Sequence, residues 1–217
     1  MVILVATGLV AAMAAFALAA WVRRHAVRLG VVAMPNERSS HAAPTPSGGG
    51  VGIVLGGSIA LGAAAEAASF PALWVMAISL LVAAIGFVDD RRPLPALLRL
   101  PAQFVLVAVA IWLAVPLGAL SQQIGLPLPV LATGGLVLVG AVYWINIFNF
   151  MDGIDGIAAA QAIFMLAGAL ALLWLRGPAV LDGGIATILI GIAAAASGFL
   201  VLNWPPAKIF MGDAGST

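Results

Sequence analysis

Asn146, Asn149, Asp152 and Asp155 recur at every third position in the stretch Asn146-Ile-Phe-Asn149-Phe-Met-Asp152-Gly153-Ile-Asp155-Gly156. On a helix this spacing lays four oxygen-bearing side chains along one drifting face. Gly153 and Gly156 permit a turn or a close backbone approach. A helix cap accounts for Asp155 ahead of Ile157 and leaves two Asn and a second Asp unexplained. The spacing is not that of an EF-hand, which needs D-x-[DN]-x-[DN]-G and a distal Glu. Oxygen ligands grouped like this suit a hard cation: Mg²⁺ takes one or two acids and completes its shell with water and substrate phosphate.

Three further segments carry related chemistry. Asp89-Asp90, taken alone, reads first as a polar helix end neutralised by Arg91 and Arg92, and second as a carboxylate site for a cation. In Lys208-Ile-Phe-Met-Gly212-Asp213-Ala-Gly215-Ser216, glycine-flanked backbone can present N–H groups to phosphate beside the Lys208 charge. Its bland alternative is a turn. The segment from Asn36 to Gly50 holds Arg38, Ser39, Ser40 and His41, then Pro44, Pro46 and three glycines. All four polar side chains can contact phosphate, although a solvated loop accounts for His41 equally well. The chain lacks a P-loop, a G-x-S-x-G elbow and any paired-His spacing for zinc. Acidic clusters with a basic, glycine-rich loop fit phosphoryl-type transfer between a soluble donor and a lipid acceptor.

These residues must be positioned by membrane helices. Of 217 residues, 64% are hydrophobic and 8% are charged, too few polar groups to cover a soluble domain. Mean hydropathy is +1.18, so the bilayer is the solvent. The net charge of +1 excludes a bulk basic field for nucleic acid. The absence of cysteine excludes disulfides, thiol catalysis and Cys-ligated metals.

Apolar runs near spanning length predict about seven transmembrane helices: Val2–Trp21, Gly48–Ala65, Ala72–Val88, Ala102–Leu120, Val130–Phe148, Ile157–Leu175 and Ile185–Leu202. The fold expected is an all-α polytopic bundle forming a single transmembrane domain. The first run is followed, not preceded, by Arg23, Arg24 and Arg28, so it reads as a retained helix and not a signal peptide. Alternation places Val22–Ser47, Asp89–Pro101, Asn149–Gly156 and the tail from Asn203 on one side. That side holds Arg23, Arg24, Arg28, Arg38, Arg91, Arg92, Arg99 and Lys208, and the other only Arg176. The positive-inside rule makes the first side cytoplasmic and the N-terminus external. Six of the eight acids share that side, leaving Glu66 and Asp182 outside. Charge rules do not require this; chemistry at the cytoplasmic face does.

Four blocks in order then resemble the polyprenyl-phosphate N-acetylhexosamine-1-phosphate transferases: RSSH-x-x-PTP-x-GG at Arg38–Gly49, DD at Asp89-Asp90, N-x-x-N-x-x-DG-x-DG at Asn146–Gly156, and FMGDAGS at Phe210–Ser216. The family includes enzymes that start lipopolysaccharide O-antigen, enterobacterial common antigen and teichoic acid chains, and it is related to phospho-N-acetylmuramoyl-pentapeptide transferase. The RSSH form is more similar to the O-antigen branch.

The resemblance implies that a UDP-N-acetyl sugar and undecaprenyl phosphate yield undecaprenyl-diphosphate-sugar and UMP. It implies Mg²⁺, with Mn²⁺ as the alternative ion, a multi-pass place in the bacterial inner membrane and a cytoplasmic site. It leaves a homodimer open. Carried over, Asp89 deprotonates or positions the lipid phosphate with Asp90 beside it. Asn149, Asp152 and Asp155 line the nucleotide and metal region, and Asp213 resembles a direct Mg²⁺ ligand, with Asp152 its expected companion. Arg38, Ser40, His41, Asn146, Asn149, Lys208, Gly212 and Ser216 are the expected substrate contacts.

Family members continue for three or four more spans and carry a later His-rich loop, so the resemblance implies a C-terminally truncated chain with little or no activity by itself. Two rivals stand. A CDP-alcohol phosphatidyltransferase needs D-G-x-x-A-R, and Ile154–Ala159 lacks the Arg. A transporter needs acids near the bilayer midplane.

Overall fold

The computed structural model describes residues 2–34, 43–65, 71–123, 125, 128–177 and 184–217. The elements are α1 (Val2–Leu29), a two-residue hairpin of β1 (Val32–Ala33) and β2 (Thr45–Pro46), α2 (Val51–Ala64), α3 (Ala72–Arg91), α4 (Ala96–Ala114), α5 (Leu117–Gln123), α6 (Val130–Met151), α7 (Ile157–Leu175), α8 (Gly184–Asn203) and the single turn α9 (Asp213–Ser216). The protein is therefore an all-α polytopic membrane bundle.

Six helices among the described residues (α1, α3, α4, α6, α7 and α8) are long and apolar enough to cross a bilayer. The run expected at Gly48–Ala65 forms α2, of 14 residues. That is about 21 Å of helix, short of a hydrocarbon core of about 30 Å. Its first three glycines stay out of the helix because Gly49 and Gly50 donate backbone hydrogen bonds to the carbonyls of Phe210 and Met211. The run Ala102–Leu120 is also divided. Helix α4 starts earlier, at Ala96, with Pro95 as its cap residue, and ends at Ala114 before Pro116.

Close packing among α1, α2 and α8 depends on small residues, as expected where lipid supplies no hydrophobic drive between helices. Ala11, Ala15 and Ala195 are completely buried. A Cβ at Gly198 would collide with the Ala12 carbonyl, and one at Gly52 with that of Ala15. In contrast, α4, α6 and α7 turn Trp112, Leu131, Phe150 and Phe164 outward, each at least 75% exposed. Such faces suit acyl chains.

The beginning of α2 and the ends of α3, α6 and α8 meet at one end of the bundle. Phe210 donates to the Pro46 carbonyl (2.8 Å), which ties the strap after α8 to the hairpin after α1. The site is built at this end.

Candidate active site

Asp213, the first residue of α9, is the meeting point. Its Oδ1 accepts from Asn149 Nδ2 at 2.6 Å, and its Oδ2 lies 3.3 Å from Arg99 Nη1. The same Arg99 nitrogen donates to Asp89 Oδ2 at 2.5 Å. Thus α3, α4, α6 and α9 each contribute one group to a single cluster. One guanidinium bridges two carboxylates whose side chains are 4% and 27% exposed.

The two adjacent acids of α3 have separate partners. Asp89, 6% exposed, takes Arg99 and also the Leu94 backbone N–H. Asp90 accepts the N–H groups of Asp213 and Ala214, at 2.9 and 3.2 Å. It thereby satisfies orphan donors at the start of α9, as a capping carboxylate would. The approach of α3 to α9 requires Gly86, because any Cβ there would strike the Asp213 carbonyl. Gly212 is constrained twice: its φ is +72°, and a Cβ would sit 2.6 Å from both Asp90 carboxylate oxygens.

The acids between α6 and α7 hold the strap from the other side. Asp152 Oδ2 accepts from Gly212 N–H at 3.1 Å, and Asp155 Oδ2 from Ala207 N–H at 2.9 Å. Asp155 does not cap α7; the cap residue is Gly156, at φ +74°, with no side-chain bond. Ser216, 4% exposed, accepts from Asn149 Nδ2 and donates to the Gly212 carbonyl. Asn146 lies a turn deeper, where its amide donates to Gln103 Oε1 at 2.9 Å and to the Val142 carbonyl. Lys208 is exposed, and its backbone N–H bonds the Leu202 carbonyl. Arg38, Ser40 and His41 lie outside the described residues.

Burial and mutual repulsion mark the cluster electrostatically. The Asp152 carboxyl is pushed up to about 8, first by burial and then by the charges of Asp90 and Asp213, against the pull of the Gly212 N–H. Asp213 is pushed up to about 7 by burial, then by its pairing with the Asp89 carboxyl and by the charge of Asp90, against the pull of the Asn149 amide. Carboxyls that crowd until they hold protons near neutrality are under-compensated, and a divalent cation would supply the missing charge. Among the described residues, no three acidic or histidine side chains converge as a complete metal cage. Mg²⁺ does not need one, since it uses one or two carboxylates plus substrate phosphates.

A narrow cleft descends from the cluster between α3 and α4. Its lining includes Gly86, Asp89, Arg99, Gln103 and Thr217. Of these, only Asp89 was among the site residues expected from sequence; Arg99 and Gln103 are the polar side chains that were not. The signal for Arg99 is that α4 begins at Ala96, which puts a cation on the first turn of an apolar helix.

The family model described as glycosyl transferase family 4 matches residues 72–217. The chain is 35% identical to a decaprenyl-phosphate N-acetylglucosaminephosphotransferase of Mycolicibacterium smegmatis, over 96% of this chain and 55% of the relative. A protein of the same description from Mycobacterium tuberculosis is 36% identical, with 96% and 56% covered. An undecaprenyl-phosphate alpha-N-acetylglucosaminyl 1-phosphate transferase of Salmonella typhimurium is 31% identical, with 90% and 54% covered. The chain spans about half the length of the curated relatives it matches.

Proposed function

Because the chain belongs to glycosyl transferase family 4, that of the polyprenyl-phosphate N-acetylhexosamine-1-phosphate transferases, we propose that it takes part in transfer of an N-acetylhexosamine 1-phosphate from a UDP-sugar to a polyprenyl phosphate at the cytoplasmic face. In this reaction an oxygen of the lipid phosphate attacks the sugar-bearing phosphorus of the donor. The bond from that phosphorus to the UMP oxygen breaks, UMP leaves, and a polyprenyl-diphosphate-sugar remains. The observation that carries the reading is the convergence of Asp89, Arg99, Asn149 and Asp213 from four separate segments.

Asp213 and Asp152 are the residues that would hold Mg²⁺. When bound, the cation neutralises charge that develops on the diphosphate. Asp90 keeps the α9 backbone in place, so Asp213 is presented by a fixed turn. Arg99 is the one basic side chain that forms ion pairs with these acids among the described residues. Its guanidinium, held by Asp89 and Asp213, offers a planar fork suited to phosphate oxygens. Asp89, paired with Arg99, is the residue that would position the acceptor phosphate or take its proton. All four groups sit at helix ends, not at mid-helix depth, which favours surface chemistry over an ion-transport path.

The test pairs binding with turnover. Purified protein is titrated with a panel of UDP-N-acetyl sugars with and without Mg²⁺, and UMP release is measured after undecaprenyl phosphate is added. Mg²⁺-dependent binding of one donor supports the reading. Absence of both binding and UMP release for every sugar rejects it.

A further inference from the structure

Asn203, the last residue of α8, is 3% exposed and shares its surroundings with buried apolar side chains that include Phe199, Leu202, Ile209 and Met211. A buried amide in such a place must satisfy its polar atoms. Asn203 Oδ1 accepts from the Gly156 N–H and Nδ2 donates to the Ile209 carbonyl, both at 3.0 Å. The end of α8 does not need this side chain, because the Leu202 carbonyl already accepts from Lys208 N–H. The bonds instead join the turn after α6 to the strap that delivers Asp213.

Three side chains cross between that turn and that strap: Asp152 to Gly212, Asp155 to Ala207, and Asn203 to both Gly156 and Ile209. Two of them are carboxylates, whose hold on an N–H changes with protonation or with a cation. Asn203 is neutral and the most buried of the three. From this geometry we infer that Asn203 is a positioning residue for the transfer site. It fixes the register of residues 204–212 against the α6–α7 turn, so that Asp213 keeps its place while Asp152 exchanges Gly212 for a cation. The inference rests on the reading of the acid cluster as the site, and it assigns no contact between Asn203 and substrate.

Residue chemistry limits what can stand there. Asp preserves the acceptor for Gly156 and sets a carboxylate oxygen against the Ile209 carbonyl. Ala leaves a buried N–H and a buried C=O without partners.

The experiment compares wild type with Asn203→Ala and Asn203→Asp in the full chain by hydrogen exchange and by Mg²⁺ titration of thermal melting. Asn203→Ala is expected to lower amide protection over residues 207–213 by about tenfold, with α1 and α2 unchanged. The Mg²⁺ concentration giving the half-maximal melting shift should rise by about tenfold, in addition to the lower melting temperature in EDTA that two unpaired buried groups bring. A residue that merely supports the fold would lower melting in EDTA and leave the Mg²⁺ midpoint in place. Asn203→Asp should give an intermediate loss of protection, and it decides the matter if the Ala variant does not fold. Unchanged protection in both, or a uniform loss through all helices, overturns the inference. If wild type shows no Mg²⁺ response, the cation reading of the cluster fails, and the exchange data still decide the role of Asn203.

Discussion

The group α1, α2 and α8 and the group α4, α6 and α7 are both made of strongly apolar helices, yet they bury themselves very differently. Half of the most apolar stretch of α8 is buried, against 11% in each of α4, α6 and α7. The first group is a scaffold closed by Ala and Gly contacts; the second presents its large side chains to lipid. The cluster straddles them. Asp213 hangs from the end of α8 on the strap, whereas Arg99 and Asn149 come from α4 and α6. The tight half carries Asp213, and the looser half brings Arg99, Asn149 and Asp152 to it.

The largest expected effects break the site from either half. Asp213→Asn preserves the acceptor for Asn149 but removes the charge, and Arg99→Gln removes the bridge from the loose side. In a protein extended to the length of its relatives, each should lower UMP release by about 10²–10³-fold, the range for loss of a directly placed electrostatic group, and Asp213→Asn should also raise the Mg²⁺ requirement. A normal Mg²⁺ titration for Asp213→Asn would reduce that residue to a turn former. A smaller effect sharpens the contrast between halves. Gly198→Val forces a side chain into the Ala12 backbone, whereas Gly168→Val meets open space. Thermal melting should fall for the first by an amount equivalent to about 1–3 kcal/mol, and stay within about 0.5 kcal/mol for the second. Equal shifts would dissolve the distinction.

The smallest effect is a pH dependence. Asp152 and Asp213 bind protons more tightly folded than unfolded, so between about 4 and 8 the folded chain holds more protons. Their contribution is fully present at the acid end and is lost as pH rises through about 7 and then about 8. Melting in EDTA should therefore fall from pH 5 to pH 8, and Mg²⁺ should restore it. A melting temperature that rises over this range would contradict the burial of these acids.

Much of this was legible in sequence because it is written in local patterns. Apolar runs outline the helices, the adjacent acids single out Asp89 and Asp90, and glycine-flanked acids single out Asp152 and Asp213. What escaped depends on partners distant in the chain. The Gly48–Ala65 run has the composition of a span, and only backbone pairing of Gly49 and Gly50 with residues 210–211 shortens it. Asp89 and Asp90 are indistinguishable as neighbours, and they separate only when α4 brings Arg99 to one and α9 brings two N–H groups to the other. Asn203 resembles an ordinary helix end until Gly156 and Ile209 are placed beside it.

The central claim is that acids from separate segments make one cation-dependent donor site. Its most direct test is the melting shift produced by UDP-N-acetylglucosamine with Mg²⁺, compared with either alone, in wild type and Asp213→Asn. The account predicts a shift with both together that exceeds the sum of the separate shifts and disappears in Asp213→Asn. A shift independent of Mg²⁺, or one that Asp213→Asn retains in full, would contradict it.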